Sequence, residues 1–230
     1  DDWPVFGLKG SGDYAGKRVV PEQLPIPARN IGVEGIVTSD EFNSAVLPLA
    51  WQWNHNPDNR FWSLKQRPGF LRLTTGKLST DFLTARNTLT QRTFGPESTA
   101  EIRMDVSAMR DGDVAGLALL QKHYAYLAIK QQYGKRMLVS VNAQGDTPEE
   151  SIITRLDQDI IYFQAHGDFK QQKDQAYFSY SLDGKNWTLV DKPLQMKYTL
   201  PHFMGYRFGL FNFATQRTGG HVDFDYFKVH

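Results

Sequence analysis

From Asp40 onward the chain is built of short runs in which apolar and polar residues alternate, recurring every 8 to 15 residues with turn residues between them. No window of 12 carries a helical stripe. Successive side chains on a strand point to opposite faces, so alternation buries one face and wets the other. The pattern therefore reads as all-β, and about a dozen short strands in one domain predict a two-sheet antiparallel β-sandwich or jelly roll.

The strands differ in what they predict. Glu101 to Ser107 alternates Ile102, Met104 and Val106 with Glu101, Arg103 and Asp105, so it belongs in a sheet with a wet outer face. Ala115 to Leu120, Tyr124 to Ile129 and Arg207 to Phe213 are apolar or aromatic on both faces, which places them centrally, with a groove or a covering loop opposite the core. Tyr177 to Trp187 holds Asp183-Gly184 between aromatic strands, the chemistry of a tight hairpin. Residues 1–37, with Gly7, Gly10, Gly12, Gly16, Pro21, Pro25 and Pro27 and no sustained period, read as a connecting segment, and the domain boundary is expected near Thr38.

Composition limits function. The 230 residues are 40% hydrophobic, enough for a substantial core, and a net charge of +1 provides no global field for nucleic acid or an anionic membrane. A bound polymer is expected to be uncharged. With no cysteine there is no disulfide, thiolate nucleophile or cysteine metal cage. The apolar stretches fall short of the roughly 20 residues a membrane helix needs, and a start at Asp1 suggests a processed or excised chain.

Catalytic signatures are missing. Neither Glu-x-Asp-x-Glu nor Glu-x-Asp-x-x-Glu occurs to point a carboxylate pair from a strand into a cleft, and Gly-x-Ser-x-Gly, His-Glu-x-x-His and phosphate-loop motifs are absent. The six histidines show no ligand spacing.

The densest polar and aromatic run is Trp51 to Trp62, whose rings and amides suit a neutral sugar, with CH groups on the ring and hydroxyls on the amides. Core packing of Trp51 and Trp62 is the competing expectation. Arg86 to Arg92 alternates two faces, either of which can line a polar groove or make structural hydrogen bonds in a partly buried strand, and Tyr124 and Tyr126 share a face that can floor the groove or pack into the core. The candidate sugar contacts are thus Trp53, His55, Asn56, Arg86, Gln91, Tyr124 and Tyr126. Asp223 and Asp225 share a face of the last strand, and Asp40 and Glu41 open the first. Solvated edge charges are the leading account of these carboxylates, and if those strands pair, a structural calcium shared by the four is the alternative.

Several of these segments carry a resemblance. Trp51 to Asn59, Trp62-Ser-Leu64, Arg67 to Leu73, Ala85 to Thr93 and Asp111 to Leu117 resemble the accessory sandwich behind the catalytic domain of family 43 glycoside hydrolases. This is the β-xylosidase C-terminal concanavalin A-like domain, also classed as carbohydrate-binding module family 91. The likeness continues through Tyr180 to Trp187 and Phe224 to Phe227, and Asp2 to Gly7 looks like the closing strand of that family's five-bladed propeller. The resemblance implies a concanavalin A-like jelly roll over residues 38–230, preceded by a linker and the tail of a missing propeller. It implies a non-catalytic module that binds xylan or xylo-oligosaccharides, partners a family 43 propeller, needs no cofactor and works in a secreted or periplasmic enzyme. The alternatives are a domain that buttresses the propeller and completes its active site without binding sugar, and an enzyme in its own right.

Overall fold

The computed structural model describes residues 35–145, 147–199 and 204–230. Their strands, in chain order, begin with β1 (Gln52–Trp53), β2 (Trp62–Ser63), β3 (Leu71–Thr74), β4 (Leu89–Arg92) and β5 (Glu97–Asp105). Next come β6 (Asp113–Leu120), β7 (Ala125–Gln132), β8 (Lys135–Asn142), β9 (Glu149–Leu156) and β10 (Ile160–Asp168). The chain closes with β11 (Gln175–Ser181), β12 (Thr188–Leu189), β13 (Leu194–Gln195), β14 (Arg207–Ala214) and β15 (His221–Val229).

These strands form two antiparallel sheets. One runs β1-β4-β14-β6-β7-β8-β9, and the other β12-β11-β10-β5-β15-β3-β2 with β13 beside β11. Alternation determines what lies between them. Leu117, Leu119, Phe208 and Leu210 of the first sheet meet Ile102, Met104, Phe163 and Phe224 of the second in one apolar core. Each such side chain contributes roughly 1.5 to 3 kcal/mol on burial.

The strands that are apolar on both faces, β6, β7 and β14, lie at the centre of the first sheet as expected. A second apolar cluster occupies the face turned away from the main core, where Tyr124, Tyr126, Val139, Phe211 and Phe213 gather with Phe82. Phe82 is presented by a short 3-10 turn, Phe82–Thr84, whose first turn is capped by Asp81 Oδ1 accepting from Thr84 N at 3.0 Å. The covering loop wins over the groove. Within β6, Gly116 is fixed by packing, because a Cβ there would stand 1.9 Å from the Leu127 carbonyl oxygen on β7.

On β5, Ala100, Ile102 and Met104 point inward while Glu101, Arg103 and Asp105 meet polar partners on the outer face. The strand starts four residues before the run from Glu101 suggests and ends at Asp105. The Asp183-Gly184 segment joins paired strands, with Gly184 at φ +73°, but through a wider turn than a tight hairpin, since Ser181 and Thr188 bound the connection. The Asp183 carboxylate organises it by accepting from the backbone N–H groups of Lys185 and Asn186, both at 2.8 Å.

The two ends of the described chain meet. Asp40 N donates to Phe227 O at 2.7 Å, Phe227 N returns the bond to Asp40 O at 2.8 Å, and Val229 N donates to Ser39 Oγ at 2.9 Å.

Candidate functional site

The loop after β1 is held against the start of β4 by a side chain imitating a strand. Asn87 Oδ1 accepts from Asp58 N at 2.9 Å while Asn87 Nδ2 donates to Asp58 O at 3.0 Å. Beside it Arg86 Nε donates to the Asn56 carbonyl at 3.0 Å. This fixes one wall of a cleft of about 220 Å³.

The Asp58 carboxylate in that wall is gripped by Arg60, with Nε to Oδ1 at 2.9 Å and Nη2 to Oδ2 at 2.7 Å. These hydrogen bonds from Arg60 outweigh desolvation and hold its pKa down at about 2. Opposite stand Asn212 and Phe213, which leave β14 toward different faces. Asn212 reaches across the sandwich, its Nδ2 donating to Leu73 O of β3 at 2.8 Å, while its buried Oδ1 has no donor. Phe61 completes the lining in space that Gly76 leaves open, where a Cβ would come 2.3 Å from the ring.

Chemically, the cleft combines two aromatic rings, two amides, cationic Arg60, Lys77 and Arg86, and a carboxylate locked in its ionised form. It suits a small neutral polyhydroxyl ring, whose hydroxyls both donate and accept. It does not suit proton donation by a carboxyl group, which needs a raised pKa. Asp113 does have a raised pKa, pushed by burial to about 6, but it is fully buried and does not line the cleft.

Of the residues expected from sequence to touch sugar, Arg86 lines this cleft. Asn56 and His55 are exposed beside it, the first through its carbonyl on Arg86 and the second with Nε2 at 2.7 Å from Leu83 O. Trp53 is half-buried, packed on Trp62 at 5.1 Å between ring centroids and against the main core. Gln91 is fully buried, and both ends of its amide are taken by the backbone of Thr38, at 3.0 and 2.9 Å. Tyr124 and Tyr126 are buried as a parallel pair 6.0 Å apart beneath Phe82, where they serve packing. Trp51 is core as well.

Phe61, Asn87, Asn212 and Phe213 are among the lining residues missing from the contacts expected from sequence. The available signals were an asparagine inside the apolar run Phe208 to Phe213 and the polar partners flanking Arg86.

The calcium expectation is corrected. Asp40 and β15 do pair, but each buried carboxylate already has its own partner. Asp40 Oδ2 accepts from Trp51 Nε1 at 2.8 Å. Asp223 is forked by Arg72 at 2.7 and 2.8 Å and touched by Arg67 at 3.0 Å, and Asp225 meets Arg103 at 2.5 Å. Glu41 is exposed near Lys228. Among the described residues no group of three or more acidic, histidine or cysteine side chains could hold a metal ion. For Asp223 and Asp225 the reason is electrostatic: arginines supply the positive charge that calcium was invoked to provide, while Asp40 is satisfied by neutral N–H donors.

The model of the β-xylosidase C-terminal concanavalin A-like domain matches residues 39–230, covering both sheets. The chain belongs to that family. The chain is 30% identical to a β-xylosidase of Formosa agariphila over 99% of its own length and 40% of that protein. It is 27% identical to a xylan 1,3-β-xylosidase of a Vibrio species over 99% of this chain and 43% of that one. Among solved structures it is similar to a bifunctional GH43-CE protein of Bacteroides eggerthii, at 49% identity and a TM-score of 0.87 over 100% of this chain and 29% of that one. The chain thus spans less than half the length of the family members it matches. The propeller-tail reading of residues 2–7 lies outside the described residues.

Proposed function

We propose that this chain is the accessory sandwich of a family 43 glycoside hydrolase acting on xylan-type polysaccharide, and that the cleft between Asn87 and Asn212 holds one sugar unit of that chain. The observation that carries the reading is the lining itself: aromatic Phe61 and Phe213 beside two amides, with the buried Asn212 Oδ1 lacking a donor. A hydroxyl supplies that donor while its ring lies on the aromatic surface. The named activities of the relatives from Formosa and Vibrio point to xylose-containing substrates. In this reading the catalytic carboxylates belong to a propeller domain, residues 1–37 connect to it, no cofactor is required and the parent enzyme is secreted or periplasmic.

Titration of the chain with xylotriose, followed by calorimetry or amide chemical shifts, tests the proposal. Saturable shifts at Phe61, Asn87 and Asn212 that Arg86→Ala or Phe61→Ala weakens support it. Absence of binding at millimolar sugar overturns it. A second reading, a buttress for the propeller that binds no sugar alone, is favoured by the interior placement of Gln91, Tyr124 and Tyr126, and that same null titration would select it.

A further inference from the structure

Arg207 opens β14 and is 6% exposed. Its Nε donates to Thr90 Oγ1 at 2.8 Å, a hydroxyl already committed to the Gln52 carbonyl, and its Nη2 has no acceptor. Other arginines withdrawn from solvent each touch an aspartate: Arg67 touches Asp105 and Asp223, Arg72 touches Asp223, and Arg103 touches Asp225. Arg207 has no carboxylate partner among the described residues. The residue directly opposite it on β4 is a second cation, Arg92. Burial, and after it the charge of Arg92, lowers the pKa of Arg207, whereas those of Arg67, Arg72 and Arg103 are raised.

A buried guanidinium without a counter-charge is costly, and like charges opposite one another on neighbouring strands add to that cost. The pair borders a recess of about 400 Å³, lined also by Gln52, Thr93, Met204 and Tyr206. Both arginines line it, Arg92 exposed to solvent and Arg207 buried. Met204 and Tyr206 offer apolar surface, and Gln52 and Thr93 offer directional polar groups. This recess is separate from the Asn212 cleft, sharing no lining residue with it.

We propose that the recess between Arg92 and Arg207 binds the carboxylate of a uronic acid, an acidic sugar unit carried by the polysaccharide. The carboxylate pairs with Arg92 and offsets the field of buried Arg207, the ring lies on Met204 and Tyr206, and the hydroxyls meet Gln52 and Thr93. The choice of a sugar acid rests on the xylan reading above, while the need for an anion rests on Arg207 alone. A net charge of +1 conceals this site, because it is a sum over the chain and carries no information on where charge collects.

The test is calorimetric titration of the chain at pH 7 with glucuronic acid, with glucose as the neutral ring and acetate as the bare carboxylate. The expected result is glucuronate binding at least tenfold tighter than glucose or acetate, weakened tenfold or more by Arg92→Ala and by added salt. Glucuronate no better than glucose, or unaffected by Arg92→Ala, overturns the proposal. Equal binding of acetate and glucuronate also overturns it, assigning the seat to a carboxylate without sugar preference, such as an acidic protein side chain. Arg92 is exposed, so its variant decides the matter even if Arg207→Met fails to fold. Xylotriose binding at the Asn212 cleft is read separately, so failure here leaves that reading standing, and failure there leaves the anion result standing.

Discussion

The indole N–H of Trp51 donates to Asp40 Oδ2 at 2.8 Å, and the other oxygen of the same carboxylate accepts from Phe42 N at 2.8 Å. Asp40 is thereby a fastener for the first segment of the sandwich, with Trp51 packed between Phe42 and Phe227. Replacing Asp40 by Ala leaves a buried indole N–H without its acceptor, and a loss of about 1 to 3 kcal/mol is expected. Chemical denaturation measures it. A chelator should leave the melting temperature of the native chain unchanged, and a fall on chelation would restore a metal to the account.

Asp223 neutralises two arginines from one buried position on β15. Asp223→Ala leaves Arg72 without a carboxylate and Arg67 with Asp105 alone, and is expected to cost about 3 kcal/mol, the scale of breaking a buried pair. Asp225→Ala, whose ion pair with Arg103 is more exposed, should cost about 1 kcal/mol or less. Equal losses for the two would contradict the burial argument.

Asp113 gives a pH signature. Burial raises its folded pKa from 3.8 to about 6, so between these values the folded state holds a proton that the unfolded state has released. Stability from this group is therefore fully present below pH 4 and is lost as pH rises toward 6. Asp113→Asn should remove that slope: unfolding free energies of variant and parent, plotted as a difference against pH, should change by up to about 3 kcal/mol across this window. A flat difference plot would refute the assignment. The comparison is needed because Asp58 and Asp183, whose folded pKa values are lowered by their hydrogen bonds, push the parent curve the other way at lower pH.

Gly116→Ala places a methyl group against the Leu127 carbonyl in the middle of the central β6–β7 pair. Backbone cannot yield there as a side-chain tip can, so loss of soluble, cooperatively folding protein is expected. Gly209→Ala on neighbouring β14 meets only ordinary contacts, the nearest at 3.5 Å, and should fold. Expression and melting of the two proteins side by side check the contrast.

The sheets were legible in the sequence because period-two burial is a local pattern, and β5 shows it at every position from Glu97 to Asp105. The double-sided burial of β6, β7 and β14 was equally readable, but whether a groove or a loop covered the outer face was not. That depends on where a three-residue turn places Phe82, some 40 residues away from Tyr124 in the chain. The candidate site was half legible for the same reason. Arg86 and the neighbourhoods of Phe61 and Asn87 stand out by composition, whereas Gln91 looks like a ligand group until its amide is seen closed on Thr38. Polar side chains announce a need for partners, and only the folded chain says whether those partners are internal. The calcium expectation failed at this step: the pairing of Asp40 with β15 was anticipated, but the arginines that answer the carboxylates come from β3, β5 and the loop before β3.

The closure of Asp40 on Phe227 and of Ser39 on Val229 makes the sandwich a cassette. The places where the chain comes in and goes out lie one hydrogen bond apart. A unit built this way can be carried inside a longer polypeptide without prising apart the segments on either side of it. The two seams are also mutually dependent, since peeling one away strips the other of its partners, so neither Ser39–Asp40 nor Phe227–Val229 can fray independently.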